Sequence, residues 1–150
     1  MTDTATIRVL IADDHPVVRT GLALMLRYER DMDPIAEAGN GLEALEMYRL
    51  HRPDVTLMDL RMPEMDGVDA IAAIRLEYPA ARIILLTTYD VDEGIYRGLR
   101  AGARAYLLKD APCEEILETI RAVAAGESAS PAWTSLWESI FVFELLLMVV

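Results

Sequence analysis

Short apolar runs that do not alternate with polar residues constrain the fold of this chain more than any other feature. Each run is too short for a helix, and a strand with one exposed face would alternate apolar and polar side chains. Unbroken runs of this length are typical of parallel strands that are buried on both faces. A weaker run covers residues 34–36, and the clear ones are Val9-Leu10-Ile11-Ala12, Val55-Thr56-Leu57-Met58, Ile83-Ile84-Leu85-Leu86 and Ala105-Tyr106-Leu107-Leu108.

Between these runs the apolar residues repeat at helical spacing. Helical patterns cover about residues 42–51 and 67–77, and turn-forming pairs such as Asn40-Gly41 and Asp66-Gly67 separate the elements. Strands that alternate with helices favour a parallel sheet covered by helices on both faces, so we predict a (βα)5 domain. The other helical stripes are Val18, Leu22 and Leu26, then Ile95 and Leu99, then Ile116, Leu117, Ile120 and Val123.

Length, charge and cysteine content narrow the function classes. A chain of 150 residues that is 53% apolar is long enough for one domain with a proper core. A formal net charge of −11 argues against binding of nucleic acid or an anionic membrane by this chain alone. Cys113 is the single cysteine, so an internal disulfide is excluded, and residues 1–6 carry no signal-peptide pattern. We therefore expect a cytoplasmic protein with no membrane contact.

Reactive side chains follow the clear apolar runs. The carboxyl ends of parallel strands meet at one edge of the sheet, and ligands of such folds bind there. We expect the side chains at these strand ends to converge on that edge. They are Asp13 and Asp14 after the first run, Asp59, Thr87 with Thr88, and Lys109 after the last.

Three carboxylates beside an amine and a hydroxyl indicate a site for phosphoryl chemistry with Mg²⁺. Carboxylates held close together repel one another, and a hard divalent cation removes this repulsion. Mg²⁺ commonly binds one or two carboxylates together with phosphate oxygens, and a carboxylate can itself become phosphorylated. Taken singly, each residue has a structural explanation, since an aspartate after a strand is often a helix cap. Their occurrence together at separate strand ends favours a functional site.

The strand ends carry the motifs Ile11-Ala12-Asp13-Asp14-His15-Pro16, Met58-Asp59-Leu60-Arg61-Met62-Pro63-Glu64-Met65-Asp66-Gly67, Leu86-Thr87-Thr88-Tyr89 and Ala105-Tyr106-Leu107-Leu108-Lys109-Asp110. In order and spacing they resemble a response-regulator receiver domain of the NarL/FixJ (LuxR-type) subfamily of two-component systems. The resemblance covers residues 7 to about 126, and we assign residues 1–126 to the receiver domain. It implies a flavodoxin-like fold, a doubly wound parallel sheet of five strands in the order 2-1-3-4-5.

The resemblance implies a phosphoacceptor and a metal site. Asp59 would accept a phosphoryl group from a sensor histidine kinase. Mg²⁺ would be the cofactor, held by Asp14, Asp59 and the main-chain carbonyl of Arg61, and by Asp13 either directly or through a water molecule. Because the carbonyl is the ligand at position 61, that position tolerates different side chains.

The resemblance also implies switch residues and loop-shaping residues. Thr87 would swing toward the phosphoryl group, and Lys109 would pair with the phosphoryl oxygens. Tyr106 would turn inward behind Thr87 and couple the site to the surface of the domain. Pro63 and Gly67 would shape the loop after the acceptor, where glycine supplies freedom of the backbone angles.

For the whole protein, the resemblance implies control of transcription and a homodimer formed through helices 1 and 5. DNA would be bound by a helix-turn-helix domain that this chain lacks. Residues 127–150 stand in its place and are strongly apolar beyond residue 132. They are open to three interpretations: a frame-shifted or vector-encoded end of a truncated chain, a sixth helix that docks on the receiver or a second copy, or a short segment that binds a partner or a membrane.

Rival functions remain open from the sequence alone. A receiver-only adaptor would control a protein partner rather than DNA, and a silent receiver would act only as a dimer scaffold. An Mg²⁺-dependent phosphohydrolase would also use an aspartyl phosphate, but that class has a second aspartate two residues after a nucleophile on the first strand. Asp13, Asp14 and His15 do not match that spacing. A receiver assists its own phosphorylation and dephosphorylation without being a turnover enzyme.

Several further residues have simpler interpretations. We expect His15 to lie partly solvated at the start of the first helix, and His51 to lie on the surface. Cys113 is expected to pack at the start of the last helix. Tyr89 and Arg61 flank the expected path of hydrolytic water, which favours a long-lived phosphoryl group.

Overall fold

Strands and helices alternate strictly in the computed structural model, which describes residues 5–88 and 93–127. The repeated pattern is a buried strand followed by an amphipathic helix, as the sequence predicts. The elements in chain order are β1 (Ile7–Ala12), α1 (Pro16–Arg27), β2 (Met32–Ala38), α2 (Gly41–His51), β3 (Val55–Asp59), α3 (Gly67–Glu77), β4 (Ile83–Thr87), α4 (Glu93–Ala101), β5 (Ala105–Leu108) and α5 (Cys113–Ala124).

The strands form one parallel sheet in the order β2-β1-β3-β4-β5, which confirms the predicted flavodoxin-like topology. The chain moves outward from β1 to β2, and then returns past β1 to β3. Because parallel crossovers are right-handed, this reversal places α1 on one face of the sheet and α2, α3 and α4 on the other. The reversal also opens a crevice at the carboxyl ends of β1 and β3, where ligands bind in such sheets.

The core lies on both faces of the three central strands. Every residue of β3 and β4 is buried, as is the second half of β1, which explains why these segments read as unbroken apolar runs. Leu22 and Leu26 of α1 and Ile120 of α5 supply buried helical positions that the sequence stripes predict. The edge strands are covered less completely, so their sequence signal is weaker.

The second strand is longer than its apolar run. The run covers residues 34–36, whereas β2 spans Met32–Ala38 and contains Pro34. Proline cannot donate to a ladder hydrogen bond and is tolerated on an edge strand, which is the place of β2 in the sheet. Val9 of β1 pairs with Pro34, and the register of the two strands shifts directly after this pair, between Val9 and Leu10.

Gly126 terminates the last helix. Gly126 has a φ of 91°, and its N–H donates to the carbonyl of Val123, while the N–H of Glu127 donates to the carbonyl of Ala122. This pair of bonds is a Schellman motif, which requires the left-handed backbone that glycine adopts readily. The predictions for residues 128–150 lie outside the described residues. No helix in the described part of the chain is long and apolar enough to cross a bilayer.

Candidate acidic site at the carboxyl edge of the sheet

The predicted strand-end residues meet at one edge of the sheet. Asp59 and Thr87 are the last residues of β3 and β4, and Asp13 and Lys109 directly follow β1 and β5. The Asp13, Asp59 and Thr87 residues are 0%, 4% and 3% exposed, whereas the Asp14 side chain remains 31% exposed. Charged groups this deeply buried are uncommon unless they are paired or bind a metal. The edge is therefore a chemically specialised place in the fold.

Lys109 bridges two of the buried carboxylates. Its Nζ lies 2.9 Å from Asp13 Oδ2 and 3.1 Å from Asp59 Oδ1, and its side chain is only 12% exposed. The main-chain N–H of Lys109 donates to the carbonyl of Thr87 at 2.8 Å, which fixes the end of β5 beside β4. Lys109 is also the only lysine in the sequence, in a chain that otherwise uses arginine as its cation. The ammonium group of lysine is compact and fits between two carboxylates, whereas the planar guanidinium of arginine needs more space.

The environment shifts the pKa values of this pair in a consistent way. Burial, followed by the negative charge of Asp13, raises the pKa of Asp59 to about 7, even though Lys109 acts in the opposite direction. Burial acts to lower the pKa of Lys109, but the hydrogen bond to Asp13 and the charge of Asp59 outweigh it and the pKa is raised. Asp59 is thus a carboxyl group whose charge is costly until a further cation compensates it.

His15 contacts both carboxylates of the acid pair. It is the N-cap of α1, and its main-chain N–H donates to Asp13 Oδ1 at 2.8 Å. Its ring Nδ1 lies 3.1 Å from Asp13 Oδ1 and 3.1 Å from Asp14 Oδ1. The expectation of a partly solvated residue at a helix start is confirmed, since the side chain is 64% exposed. The contacts with both acids were not predicted from the sequence.

Arg19 is a second residue that the sequence analysis missed. Its Nη1 donates to the main-chain carbonyl of Asp13, and its Nε lies 3.6 Å from Glu37 Oε1 of β2. The arginine therefore holds the loop between β1 and α1 in place from the first turn of the helix. The available signal was its position four residues after His15, which puts both on the same face of α1.

The predicted loop-shaping role of Gly67 has a different physical reason from the one expected. Among the described glycines, positive φ occurs at Gly102 and Gly126 and not at Gly67, so freedom of the backbone angles is the wrong explanation. A Cβ on Gly67 would collide with the main-chain oxygen of Asp59 and come within 3.0 Å of its carbonyl carbon. Glycine is needed because the start of α3 packs directly against the acceptor segment.

The remaining predicted residues surround this edge. Arg61 is exposed and lines a small open cavity with Asp59, Thr87 and Lys109. Pro63 accepts a hydrogen bond from the N–H of Met65 at 2.7 Å, which tightens the loop before α3. The metal-binding carbonyl of Arg61 remains a prediction.

The expectations for four other residues have mixed outcomes. Tyr106 is half-buried in β5, and its switching role remains a prediction. Cys113 is exposed at the start of α5, so the expected packing role is wrong. His51 at the end of α2 is partly buried rather than fully on the surface. Tyr89 lies outside the described residues.

The donor atoms fit a hard divalent cation. One ligand atom from each of Asp13, Asp14, His15 and Asp59 lies within 4.8 Å of the others. Asp59 Oδ2 is buried and has no hydrogen-bond partner among the described residues. A buried carboxylate oxygen without a partner is costly, and a cation removes that cost. Carboxylate oxygens are the ligands that Mg²⁺ prefers.

Comparison with known proteins identifies the family to which this geometry belongs. The family model described as the response regulator receiver domain matches residues 9–121. This chain belongs to the response regulator receiver family. Members of the family are response regulators that act as switches. The acidic edge therefore lies in a receiver domain, as the sequence motifs indicate.

Relatives of this receiver domain point to one subfamily. The chain is 43% identical over 122 residues to the transcriptional regulatory protein YxjL of Bacillus subtilis, and the match covers 81% of this chain and 56% of YxjL. The receiver domain of NarL from Mycobacterium tuberculosis has a TM-score of 0.77 at 38% identity, over 82% of this chain and 99% of that structure. A LuxR-family two-component response regulator from Aurantimonas has a TM-score of 0.80 at 32% identity, over 87% of this chain and 94% of that structure.

These similarities support membership of the NarL/FixJ subfamily. The chain spans about half the length of the curated relatives that it matches.

Proposed function

We propose that this receiver domain accepts a phosphoryl group on Asp59 from a sensor histidine kinase and thereby switches a transcriptional output. The observation that carries the proposal is the Asp59 side chain itself. It is buried in the sheet edge, one oxygen contacts Lys109, and the other has no hydrogen-bond partner among the described residues. The Asp59 residue nevertheless lines a small open cavity at this edge of the sheet.

Asp59 itself is the nucleophile in the proposed phosphoryl transfer. A carboxylate oxygen of Asp59 attacks the phosphorus atom, the new P–O bond forms, and the P–N bond to the histidine of the kinase breaks. The departing imidazole takes a proton from solvent, and the product is an acyl phosphate. Charge spread over the equatorial phosphoryl oxygens makes positioning and countercharge the main sources of catalysis.

Lys109 and Thr87 supply that positioning from this chain. The ammonium of Lys109 lies 3.1 Å from Asp59 Oδ1, so it is already beside the place where phosphoryl oxygens would sit. Thr87 lines the same cavity from the end of β4 and would donate its hydroxyl proton to a phosphoryl oxygen. A rearrangement of Thr87 toward that oxygen, followed by Tyr106, is the proposed start of the switch.

Mg²⁺ is the cofactor that this donor set fits. Asp13, Asp14, Asp59 and the main-chain carbonyl of Arg61 would hold it. When bound, the ion supplies positive charge that offsets the carboxylates and the incoming phosphoryl group. Asp13 has its own support for this task, because Arg19 and His15 hold its main-chain and side-chain oxygens.

The size of the cavity favours a phosphoacceptor over a turnover enzyme. Its volume is about 120 Å³. Pockets that bind a whole small-molecule substrate usually measure about 300–1,000 Å³. A phosphoryl group fits the smaller space while the rest of its donor stays outside, as expected when the donor is a side chain of another protein. This supports a switch that assists its own phosphorylation and dephosphorylation.

The transcriptional output is proposed for a longer protein with the domain organisation of the relatives. We propose that the full protein is cytoplasmic, that it binds DNA through a separate domain, and that it forms a homodimer through α1 and α5. Support for the dimer comes from α1 and its C-cap residue Tyr28: Val17, Leu24 and Tyr28 are 84%, 49% and 86% exposed. Their spacing places them on one face of the helix, and exposed apolar stripes often mark interfaces.

The phosphoacceptor proposal is tested by intact mass after incubation with acetyl phosphate and Mg²⁺. Wild-type protein is expected to gain one phosphoryl mass, and Asp59→Asn none. Asp33→Asn, a change at an exposed aspartate of β2, serves as the matched control and is expected to behave as wild type. A phosphoryl gain in Asp59→Asn would show that another residue is the acceptor.

A further inference from the structure

We propose that His15 is a nitrogen ligand in the acidic site and makes that site select late first-row divalent ions, such as Co²⁺, Ni²⁺ and Zn²⁺, over Mg²⁺. The inference rests on the metal site of the proposed function and adds a specificity-determining residue to it. The juxtaposition that carries it is the His15 ring nitrogen, placed against both carboxylates of the acid pair.

The spacing of the donor atoms suits a shared ion. His15 Nδ1 lies 3.1 Å from Asp13 Oδ1 and 3.1 Å from Asp14 Oδ1. Two ligand atoms that are each about 2.1 Å from one ion, at a right angle, are about 3.0 Å apart. Asp59 completes the group, since the four donor atoms lie within 4.8 Å of one another.

The buried end of the site points to a cation independently of the histidine. Asp59 is 4% exposed, and its Oδ2 has no hydrogen-bond partner among the described residues. Lys109 occupies the opposite side of this carboxylate, at Oδ1. Asp59 thus contributes a buried carboxylate to the cluster, and His15 lies on its exposed side.

His15 has no competing task in the helix. It occupies the N-cap position of α1, but its side chain makes no capping hydrogen bond, and its ring is 64% exposed. The contact that secures the start of α1 comes from its main-chain N–H, which any residue other than proline retains. The imidazole can therefore serve as a ligand without loss of the helix start, and its removal leaves the local backbone intact.

The chemistry of the donors predicts the selectivity. An all-oxygen set suits Mg²⁺, which binds nitrogen poorly, whereas an imidazole suits Zn²⁺, Ni²⁺ and related ions. Adding one imidazole to the three carboxylates raises affinity for the later ions and leaves Mg²⁺ affinity nearly unchanged. Changes around a metal commonly alter its affinity by about 10–100-fold, and loss of a direct ligand falls at least in that range.

The test is calorimetric titration of the full chain with Co²⁺ and, separately, with Mg²⁺. Wild-type protein is expected to bind Co²⁺ at least about tenfold more tightly than Mg²⁺. His15→Ala and His15→Asn are expected to lose about tenfold or more in Co²⁺ affinity while Mg²⁺ affinity stays within about twofold. His51→Ala removes the other histidine of the chain, at the end of α2, and should leave both affinities unchanged.

Proton NMR of the Co²⁺ complex provides a readout that a structural role would not produce. A coordinated imidazole is expected to show a non-exchangeable ring C–H proton with a large paramagnetic shift, present in wild type and His51→Ala and absent in both His15 variants. Equal Co²⁺ affinity in wild type and the His15 variants, or a parallel loss of Mg²⁺ affinity, would overturn the inference. So would the absence of the shifted proton in the wild-type complex.

Acetyl phosphate labelling of the same samples separates the two proposals. If Asp59 is phosphorylated with Mg²⁺ but His15 shows no cobalt signature, the selectivity inference alone is wrong. If Co²⁺ binds through His15 but no phosphoryl group is gained with Mg²⁺, the proposed function is wrong and the metal site stands.

Discussion

Asp59 is held as a buried acid whose charge weakens the fold until a cation binds. Its pKa is about 7 in the folded protein against 3.8 for the ordinary side chain. Between these two pH values the native state retains a proton that the unfolded state has released. The free energy of unfolding therefore falls as pH rises through this window.

The residue-scale consequence is that Asp59→Asn stabilises the metal-free protein at neutral pH. We expect a gain in unfolding free energy on the order of 2 kcal/mol at pH 7.5 and little gain near pH 4, because only the ionised carboxylate is penalised. Urea denaturation in EDTA at both pH values measures the difference. Asp33→Asn is the control, and a gain that is the same at both pH values would contradict the assigned cause.

Lys109 should matter for stability as well as for chemistry. Lys109→Met leaves Asp13 and Asp59 without their shared cation, so we expect a loss of about 2–3 kcal/mol in EDTA. Mg²⁺ should restore part of this loss, because it supplies a replacement charge. Lys109→Arg keeps the charge and should lose less. Equal losses for Met and Arg would show that packing of the side chain, not its charge, is what the site requires.

At this scale the sequence predicts the chemistry but not the contacts. The acids, Thr87 and Lys109 could be located because each directly follows an apolar run, and parallel strand ends share one edge. The bridge that Lys109 makes to two carboxylates depends on distances across three strands, which no local pattern encodes. For the same reason, His15 and Arg19 looked like ordinary residues of a helix start.

At the scale of elements, the junction between β3 and α3 is the most constrained part of the site. Gly67 opens α3 directly against the main chain of Asp59, and its N–H donates to the carbonyl of Leu60 at 3.0 Å. Asp66 caps the helix by accepting a hydrogen bond from the N–H of Asp69 at 2.8 Å. The helix start therefore fixes the position of the acceptor segment.

Gly67→Ala should consequently disturb both stability and phosphorylation. The added methyl must displace backbone rather than a flexible side chain, so we expect a loss of more than about 2 kcal/mol and slower labelling of Asp59. Gly21→Ala is the matched control, because nothing lies within 4 Å of a Cβ at that exposed position of α1. Alanine there should stabilise by about 0.5–1 kcal/mol. The two variants are compared by thermal denaturation and by the rate of Asp59 labelling. Similar behaviour of Gly67→Ala and Gly21→Ala would refute the close contact between Gly67 and the main chain of Asp59 as the cause.

Element types were predictable because burial dictates sequence pattern, but some boundaries and causes were not. Strands buried on both faces must be apolar throughout, which made β3 and β4 evident. The edge position of β2 relaxes that demand and admits Pro34, so its sequence run is shorter than the strand. The role of Gly67 was found from the motif, whereas its cause depends on a neighbouring strand that the local sequence does not show.

At the scale of the molecule, the fold concentrates negative charge at one edge, and this charge should couple stability to Mg²⁺. Binding to the native state alone adds about 1.4 kcal/mol for each tenfold rise in free ion above its dissociation constant. We expect the melting temperature of the wild type to rise steadily with Mg²⁺. Asp13→Asn should respond much less, and Asp33→Asn should respond like wild type. A similar rise in all three proteins would indicate binding elsewhere on this acidic chain.

The most direct test of the whole account is to locate the phosphoryl group chemically. After treatment with acetyl phosphate and Mg²⁺, borohydride reduces an acyl phosphate of aspartate to homoserine, and peptide mass spectrometry identifies the converted residue. We predict homoserine at position 59 of the wild-type protein. The Lys109→Met variant is expected to show at most a trace of it. Conversion at Asp13 or Asp14, or a phosphoryl group on His15 that borohydride leaves intact, would contradict the assignment of Asp59 as the acceptor.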